Sequence, residues 1–213
     1  APVPKGHRWH ASFYDRLMRS TERRVMASLR ARLLGSLEGA VLEVGAGTGA
    51  NLPYYTHAAR VIATDPDPYM LRRARERLRE MDHPAVDLRL ASAEALPFPD
   101  ASFDHVVATL VFCTVPDPER ALREVRRVLK PDGRFHFVEH VRADSVVGRA
   151  QDLIRPVWKF FAAGCVINRR TAELIARAGF TIESLERRSL QFGVPLLVGV
   201  ARPAPDQESA RER

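Results

Sequence analysis

Cysteine is scarce in this 213-residue chain: Cys113 and Cys165 are the only two, far apart and in no metal-ligand spacing. Two such residues make neither a disulfide framework nor a zinc site, and no metal is expected. Long apolar runs are missing as well. No stretch approaches the roughly twenty residues that a membrane-spanning helix needs. The first residues, with Lys5, Arg8 and Asp15 interleaved, hold no signal-peptide core, so a cytoplasmic location is expected.

Lysine is nearly absent too, with only Lys5, Lys130 and Lys159, so the formal charge of +7 is carried by arginine. Such a charge raises the question of nucleic acid. The arginines, however, are spread along helical patterns such as Leu71 to Arg79, where they alternate with carboxylates or fill a solvated face. No recognised nucleic-acid module accompanies them, and no nucleic-acid partner is expected. With 46% hydrophobic and 28% charged residues, the chain reads as globular and long enough for one α/β domain with a sizeable core.

What is present is a glycine loop. Glu43-Val44-Gly45-Ala46-Gly47-Thr48-Gly49 follows the apolar run Ala40-Val41-Leu42, and Asp65 ends the next run, Val61-Ile62-Ala63. Glycines at alternate positions let a backbone turn sharply and approach a ligand closely. An acid some twenty residues on can accept hydrogen bonds from ribose hydroxyls. Dinucleotide sites use G-x-G-x-x-G, which leaves a helix N-terminus for a pyrophosphate. Here the spacing is G-x-G-x-G, with Asn51 following and no basic side chain in the loop. That suits an adenosine cofactor with an amino-acid tail better than a phosphate.

Apolar residues recur near a helical period from Trp9 to Leu34, predicting one or two helices ahead of the core. Strand and helix signals then alternate: strand 40 to 44, a short helix from about 50, strand 60 to 64, helix 67 to 81, strand 86 to 90 and strand 103 to 110. Asp117 and Pro118 open a helix that runs to Leu129, Pro131-Asp132-Gly133 breaks it, and a fifth strand covers 134 to 139. From 142 to 169 the alternation stops. Helix 171 to 178 and strands 181 to 187 and 194 to 201 complete the pattern. Such alternation predicts an α/β fold with a parallel sheet and crossover helices. Residues 1 to 202 form one domain in this reading, with an N-terminal helical lid over 1 to 37, an insert or cover over 142 to 169 and a charged, disordered tail over 203 to 213.

In this order and spacing the motifs resemble class I S-adenosylmethionine-dependent methyltransferases of the ubiquinone/menaquinone-biosynthesis type. Besides the loop they comprise Asp65-Pro66 with Met70, Ala93-Glu94-Ala95-Leu96-Pro97-Phe98 before Ser102-Phe103-Asp104, and Leu129-Lys130-Pro131-Asp132-Gly133. The resemblance implies a Rossmann-like sheet of seven strands, mostly parallel with the last antiparallel, and S-adenosyl-L-methionine as cofactor. It implies that Gly45, Ala46, Gly47, Gly49 and Asn51 hold the methionine moiety, Glu43 fixes the loop, and Asp65 takes the ribose hydroxyls. Pro66, Met70, Ala93 and Glu94 would flank adenine, with Ser92 where the family often carries an Asp. Thr109 and Leu110 would lie under the sulfonium. Leu110 to Val115, Phe137-Val138-Glu139-His140-Val141, and Gly164-Cys165 with Asn168, Arg169 and Thr171 are similar to the branch containing alkyl-thiol methyltransferases. Val166 and Arg170 stand where that branch usually has His and Asp.

Methyl transfer is an in-line displacement, so alignment and exclusion of water come first, and a base is needed only if the nucleophile must lose a proton. His140, at the end of the fifth strand, is the first candidate base and His10 the second; a backbone-orienting or surface role is the alternative for each. Tyr14, Phe112, Cys113, Trp158, Phe161, Cys165 and Asn168 are candidates for the substrate pocket, against core packing as the alternative. Residues 153 to 167 also suit an interfacial helix in peripheral membrane contact. The expected reaction is methyl transfer to oxygen or sulfur of a small, fairly apolar molecule. The alternatives are carbon methylation of a quinone or polyketide ring, an NAD-dependent oxidoreductase, or a non-catalytic cofactor-binding protein.

Overall fold

A computed structural model of the chain describes residues 26–81, 86–141, 169–189 and 195–205. Seven strands form one sheet: β1 (Ala40–Val44), β2 (Arg60–Asp65), β3 (Val86–Leu90), β4 (Phe103–Thr109), β5 (Leu129–His140), β6 (Phe180–Ser189) and β7 (Pro195–Pro203). Their order is β3-β2-β1-β4-β5-β7-β6. Neighbours from β3 to β5 run parallel, and β7 is antiparallel to both β5 and β6. The short, β-branched runs of β1 and β2 are buried almost throughout, as strands covered on both faces must be, and β4 is buried at Phe103 and from Val106 to Ala108. The seven-strand expectation with an antiparallel last strand holds.

Four helices are described: α1 (Ala27–Leu34), α2 (Pro68–Arg79), α3 (Pro118–Val128) and α4 (Thr171–Arg177). Asp67 and Asp117 each accept a backbone N–H of the following turn, and proline stands at the start of α2 and α3, a start that the sequence predicts for α3. The buried stripe of α3 is Ala121, Leu122, Val125 and Val128. Each of its larger apolar side chains gains about 1.5–3 kcal/mol by leaving water. With Ile175 of α4 it covers one sheet face, against Leu42, Val106, Phe135 and Phe137. On the other face Met26 and Leu29 meet Val138, Leu196 and Val198, while Leu34 joins Val41, Leu52, Tyr55 and Val107. Among the described residues no helix is long and apolar enough to cross a membrane.

Two expectations are corrected. The helix expected near 50 is a single 3-10 turn, Leu52–Tyr54. Pro131-Asp132-Gly133 does not separate α3 from the fifth strand. The backbone is already extended at Leu129, which pairs with Phe103, and the three residues lie within β5 beside a register irregularity. Asp104 holds that irregularity from below: one carboxylate oxygen accepts Lys130 Nζ at 2.6 Å and the other the Ala40 N–H at 2.9 Å. The lid, cover and tail expectations fall largely on 1–25, 142–168 and 206–213, outside the described residues.

Candidate active site

Strand order reverses between β1 and β4, and in open α/β sheets the carboxyl ends of strands at such a point bound the ligand crevice. The glycine loop lies there. Gly45, Gly47 and Gly49 have φ of +70°, +56° and +78°, a region that favours glycine strongly. Their surroundings differ. A β-carbon on Gly45 would sit 2.5 Å from Val111 Cγ2, whereas one on Gly47 would meet nothing within 4 Å. Gly45 is thus set by the turn after β4, and Gly47 leaves room that the described residues do not fill.

Beneath the loop lies a buried polar network. Glu43, at 1% exposure, accepts Asn51 Nδ2 and the Tyr55 hydroxyl, each at 2.9 Å. Asn51 Nδ2 also reaches Thr109 Oγ1 at 3.1 Å, and Asn51 Oδ1 accepts Arg30 Nε at 2.6 Å. Burial pushes the Glu43 carboxyl up to about 7, against the lowering pull of Tyr55, Asn51 and Arg30. Burial and the neighbouring Glu43 raise the Tyr55 phenol as well. Both oxygens of Glu43 are therefore committed to the segment that follows the loop. Tyr55 and Arg30 were not singled out from the sequence. Arg30 was legible there, since it stands four residues from Met26 and from Leu34 on the buried face of α1.

Asp65, 8% exposed at the end of β2, accepts the Gly47 N–H on Oδ2 at 2.9 Å and the Asp67 N–H on Oδ1 at 2.8 Å. Burial raises its carboxyl to about 6, opposed by those two N–H groups. Each oxygen keeps a lone pair for a further donor. Pro66 and Met70 are partly exposed beside it, and Ala93 is buried. Ser92 Oγ accepts the Glu94 N–H at 3.3 Å. Glu94 itself turns toward α3, where its carboxylate accepts the Asp117 N–H at 2.6 Å and its carbonyl accepts Arg120 Nε at 2.9 Å.

At the end of β4 the backbone turns through Leu110, whose φ of +60° is rare for a side chain of its size. Phe112 and Cys113 then point into the core, at 0% and 1% exposure, with the Phe112 ring edge-on to Phe135 at 5.8 Å. Of the two readings the sequence left open for them, pocket lining or core packing, this burial agrees with core packing. Glu139, not singled out from the sequence, is fully buried and accepts three backbone N–H groups from this turn. His140 lies on the opposite face of β5, partly exposed, two residues beyond Val138, which pairs with Thr109. His10, Tyr14, Trp158, Phe161, Cys165 and Asn168 lie outside the described residues.

The residues fit an adenosine cofactor with an amino-acid tail. The space over Gly47 is open, Asp65 offers acceptors at the right strand end, and residues 45–51 contain no cation for a phosphate. Comparison with known proteins agrees. Residues 42–137 match the methyltransferase domain family. The chain is 34% identical to human thiol S-methyltransferase TMT1B over 185 residues, 82% of this chain and 73% of that protein. It is 34% identical to human thiol S-methyltransferase TMT1A over 194 residues, 89% and 78% of the two chains. The structure of an S-adenosylmethionine-dependent methyltransferase from Thermotoga maritima shares the fold, with a TM-score of 0.69 at 24% identity over 92% of this chain and 99% of that one. With the glycine loop, the acidic end of β2 and the antiparallel β7 all in place, the chain belongs to the S-adenosylmethionine-dependent methyltransferases, in the family that includes these thiol S-methyltransferases.

Proposed function

We propose that this methyltransferase acts on the sulfur of a small, apolar thiol, R–SH, giving R–S–CH3, S-adenosylhomocysteine and a proton. The observation that carries the reading is the apolar cluster beside the end of β4. Leu110 packs against Met26, Leu29, Val138, Leu196 and Val198, and the likeness to thiol S-methyltransferases over most of the chain supports it. S-adenosylmethionine, when bound, supplies a methyl carbon made electrophilic by its sulfonium. Asp65 would hold the ribose hydroxyls, the 45–49 backbone the amino-acid tail, and Ala93, Pro66 and Met70 the adenine.

The remaining work is alignment. Thr109 and Leu110 end β4 next to the loop, so they would set the floor against which the sulfur approaches the methyl carbon. A thiol with a reference pKa near ~8.5 is mostly protonated at neutral pH, so a base gives modest help. His140, partly exposed on the apolar-cluster face of β5, is the described residue we assign to receive the S–H proton on a ring nitrogen as the S–C bond forms. The protein would act in the cytoplasm.

A panel of alkyl thiols, phenols and hydroquinones, read out by S-adenosylhomocysteine release, tests the reading. Turnover is expected with apolar thiols above phenols. Release with phenols or quinols and none with any thiol would sink the sulfur assignment.

A further inference from the structure

The turn after β4 is gripped from both ends of its hydrogen-bonding chemistry. Glu139 Oε1 accepts the N–H groups of Val111 and Phe112 at 2.9 Å each, and Oε2 accepts that of Cys113 at 3.2 Å. Arg169, just ahead of α4, donates from Nη1 to the carbonyls of Phe112 at 2.5 Å and Val115 at 2.8 Å. One carboxylate and one guanidinium thus take three donors and two acceptors from five consecutive residues.

That arrangement is costly as packing alone. A carboxylate with 0% exposure carries a desolvation penalty of several kcal/mol, which the three N–H groups offset only in part. Burial pushes Glu139 up to about 7 despite them. An apolar side chain would fill the volume without that cost. The residue just before the gripped segment is Leu110 at φ +60°, a conformation that costs about 1–2 kcal/mol for an L side chain. Such strain persists only where the surroundings over-determine the backbone. Val111, gripped by Glu139, fills the space where a Gly45 β-carbon would sit. A line of contact therefore runs from Glu139 through Val111 to the glycine loop, with Leu110 on it.

We propose that Glu139 is a positioning residue for methyl transfer: by holding the 111–113 N–H groups it fixes Leu110 and Val111 against the glycine loop, and so keeps acceptor and methyl donor in line. This rests on the methyltransferase reading. In that reading Asp65 and the 45–49 backbone make the cofactor's polar contacts and Glu139 makes none of them, so the effect falls more on the reaction than on cofactor affinity. Arg169 is the second hold on the same turn.

The test is Glu139→Gln, which keeps the shape but sets an amide N–H2 against a backbone N–H. S-adenosylmethionine affinity by calorimetry is expected to stay within about threefold. The single-turnover rate per cofactor-loaded site should fall about tenfold or more, since a misplacement near 1 Å is worth up to about a hundredfold. Amide exchange at 111–113 should accelerate in the ligand-free protein. A parental rate per loaded site, with only a lower Tm, would overturn the proposal, as would unchanged exchange protection. Should Glu139→Gln fail to fold, Arg169→Gln carries the test, with the same split expected and a parental rate per site overturning it. A parent that binds S-adenosylmethionine but methylates no thiol sinks the acceptor reading instead, and the exchange comparison still decides whether Glu139 holds the turn.

Discussion

Asp65 Oδ2 accepts the backbone N–H of Gly47 at 2.9 Å, which ties the end of β2 to the crown of the glycine loop. The residue that faces the cofactor's ribose in this reading thus also sets the loop that faces its tail. Cofactor affinity should respond to Asp65 more strongly than stability does.

Asp65→Asn replaces an acceptor by a donor facing the Gly47 or Asp67 N–H. S-adenosylmethionine affinity should fall roughly 10- to 100-fold, the range for hydrogen bonds to a charged group. Calorimetry measures it, and a parental dissociation constant would remove Asp65 from the site.

The same residue sets a pH dependence. Burial holds Asp65 near 6, above the ordinary carboxyl range, so the ionised acceptor is lost as pH drops through about 6. Affinity should be flat from pH 7 to 8 and weaken below 6. In Asp65→Asn that weakening should be absent.

Gly45→Ala and Gly47→Ala should separate folding from binding. Both place a β-carbon at positive φ, which costs about 1–2 kcal/mol. At Gly45 it also strikes Val111 at 2.5 Å, so that variant should lose further stability. At Gly47 the space is open, so the fold should persist while S-adenosylmethionine binding falls. Thermal melts with and without the cofactor distinguish the two; equal losses of stability would contradict the geometry.

Glu43 and Glu139 give a stability prediction with a definite sign. Both are raised to about 7 by burial, above their unfolded values near 4.5. The native state therefore binds more protons across that window, and the contribution, full below 4.5, is lost as pH rises through 7. Each is worth about 3 kcal/mol in order of magnitude. His136, pushed down to about 3 by burial, acts oppositely between its unfolded value of 6.5 and 3. The difference between parent and Glu43→Gln cancels the His136 term. Denaturant titrations from pH 5 to 8 should show the parent losing stability relative to the variant as pH rises; parallel curves would refute the raised carboxyl.

Arg30→Met should loosen the loop from α1. The Arg30 bond to Asn51 is lost while the aliphatic packing is kept, so S-adenosylmethionine affinity should drop by about fivefold to tenfold, the worth of one charge-assisted bond at the lower end. Unchanged affinity would mean that Asn51 is held by Glu43 and Thr109 alone.

The sequence by itself determined the methyltransferase class and the sheet that carries it. Alternate glycines, Asp65 at a strand end, and the capping Asp117 are local signals, each readable because turn dihedrals and helix ends depend on neighbouring residues. Where local signals misled, long-range contact was the reason. Pro131-Asp132-Gly133 reads as a breaker, yet β4 pairs with Leu129 and Asp104 grips Lys130, so strand β5 begins earlier. Phe112 and Cys113 read as pocket wall or as core from the sequence, and it is the turn held by Glu139 that buries them. Only the tertiary structure decided which buried polar groups meet: Arg30 with Asn51, Tyr55 with Glu43, Glu139 with three backbone N–H groups. A desolvated charge must find its partners wherever the fold brings them, and sequence separation does not record that distance.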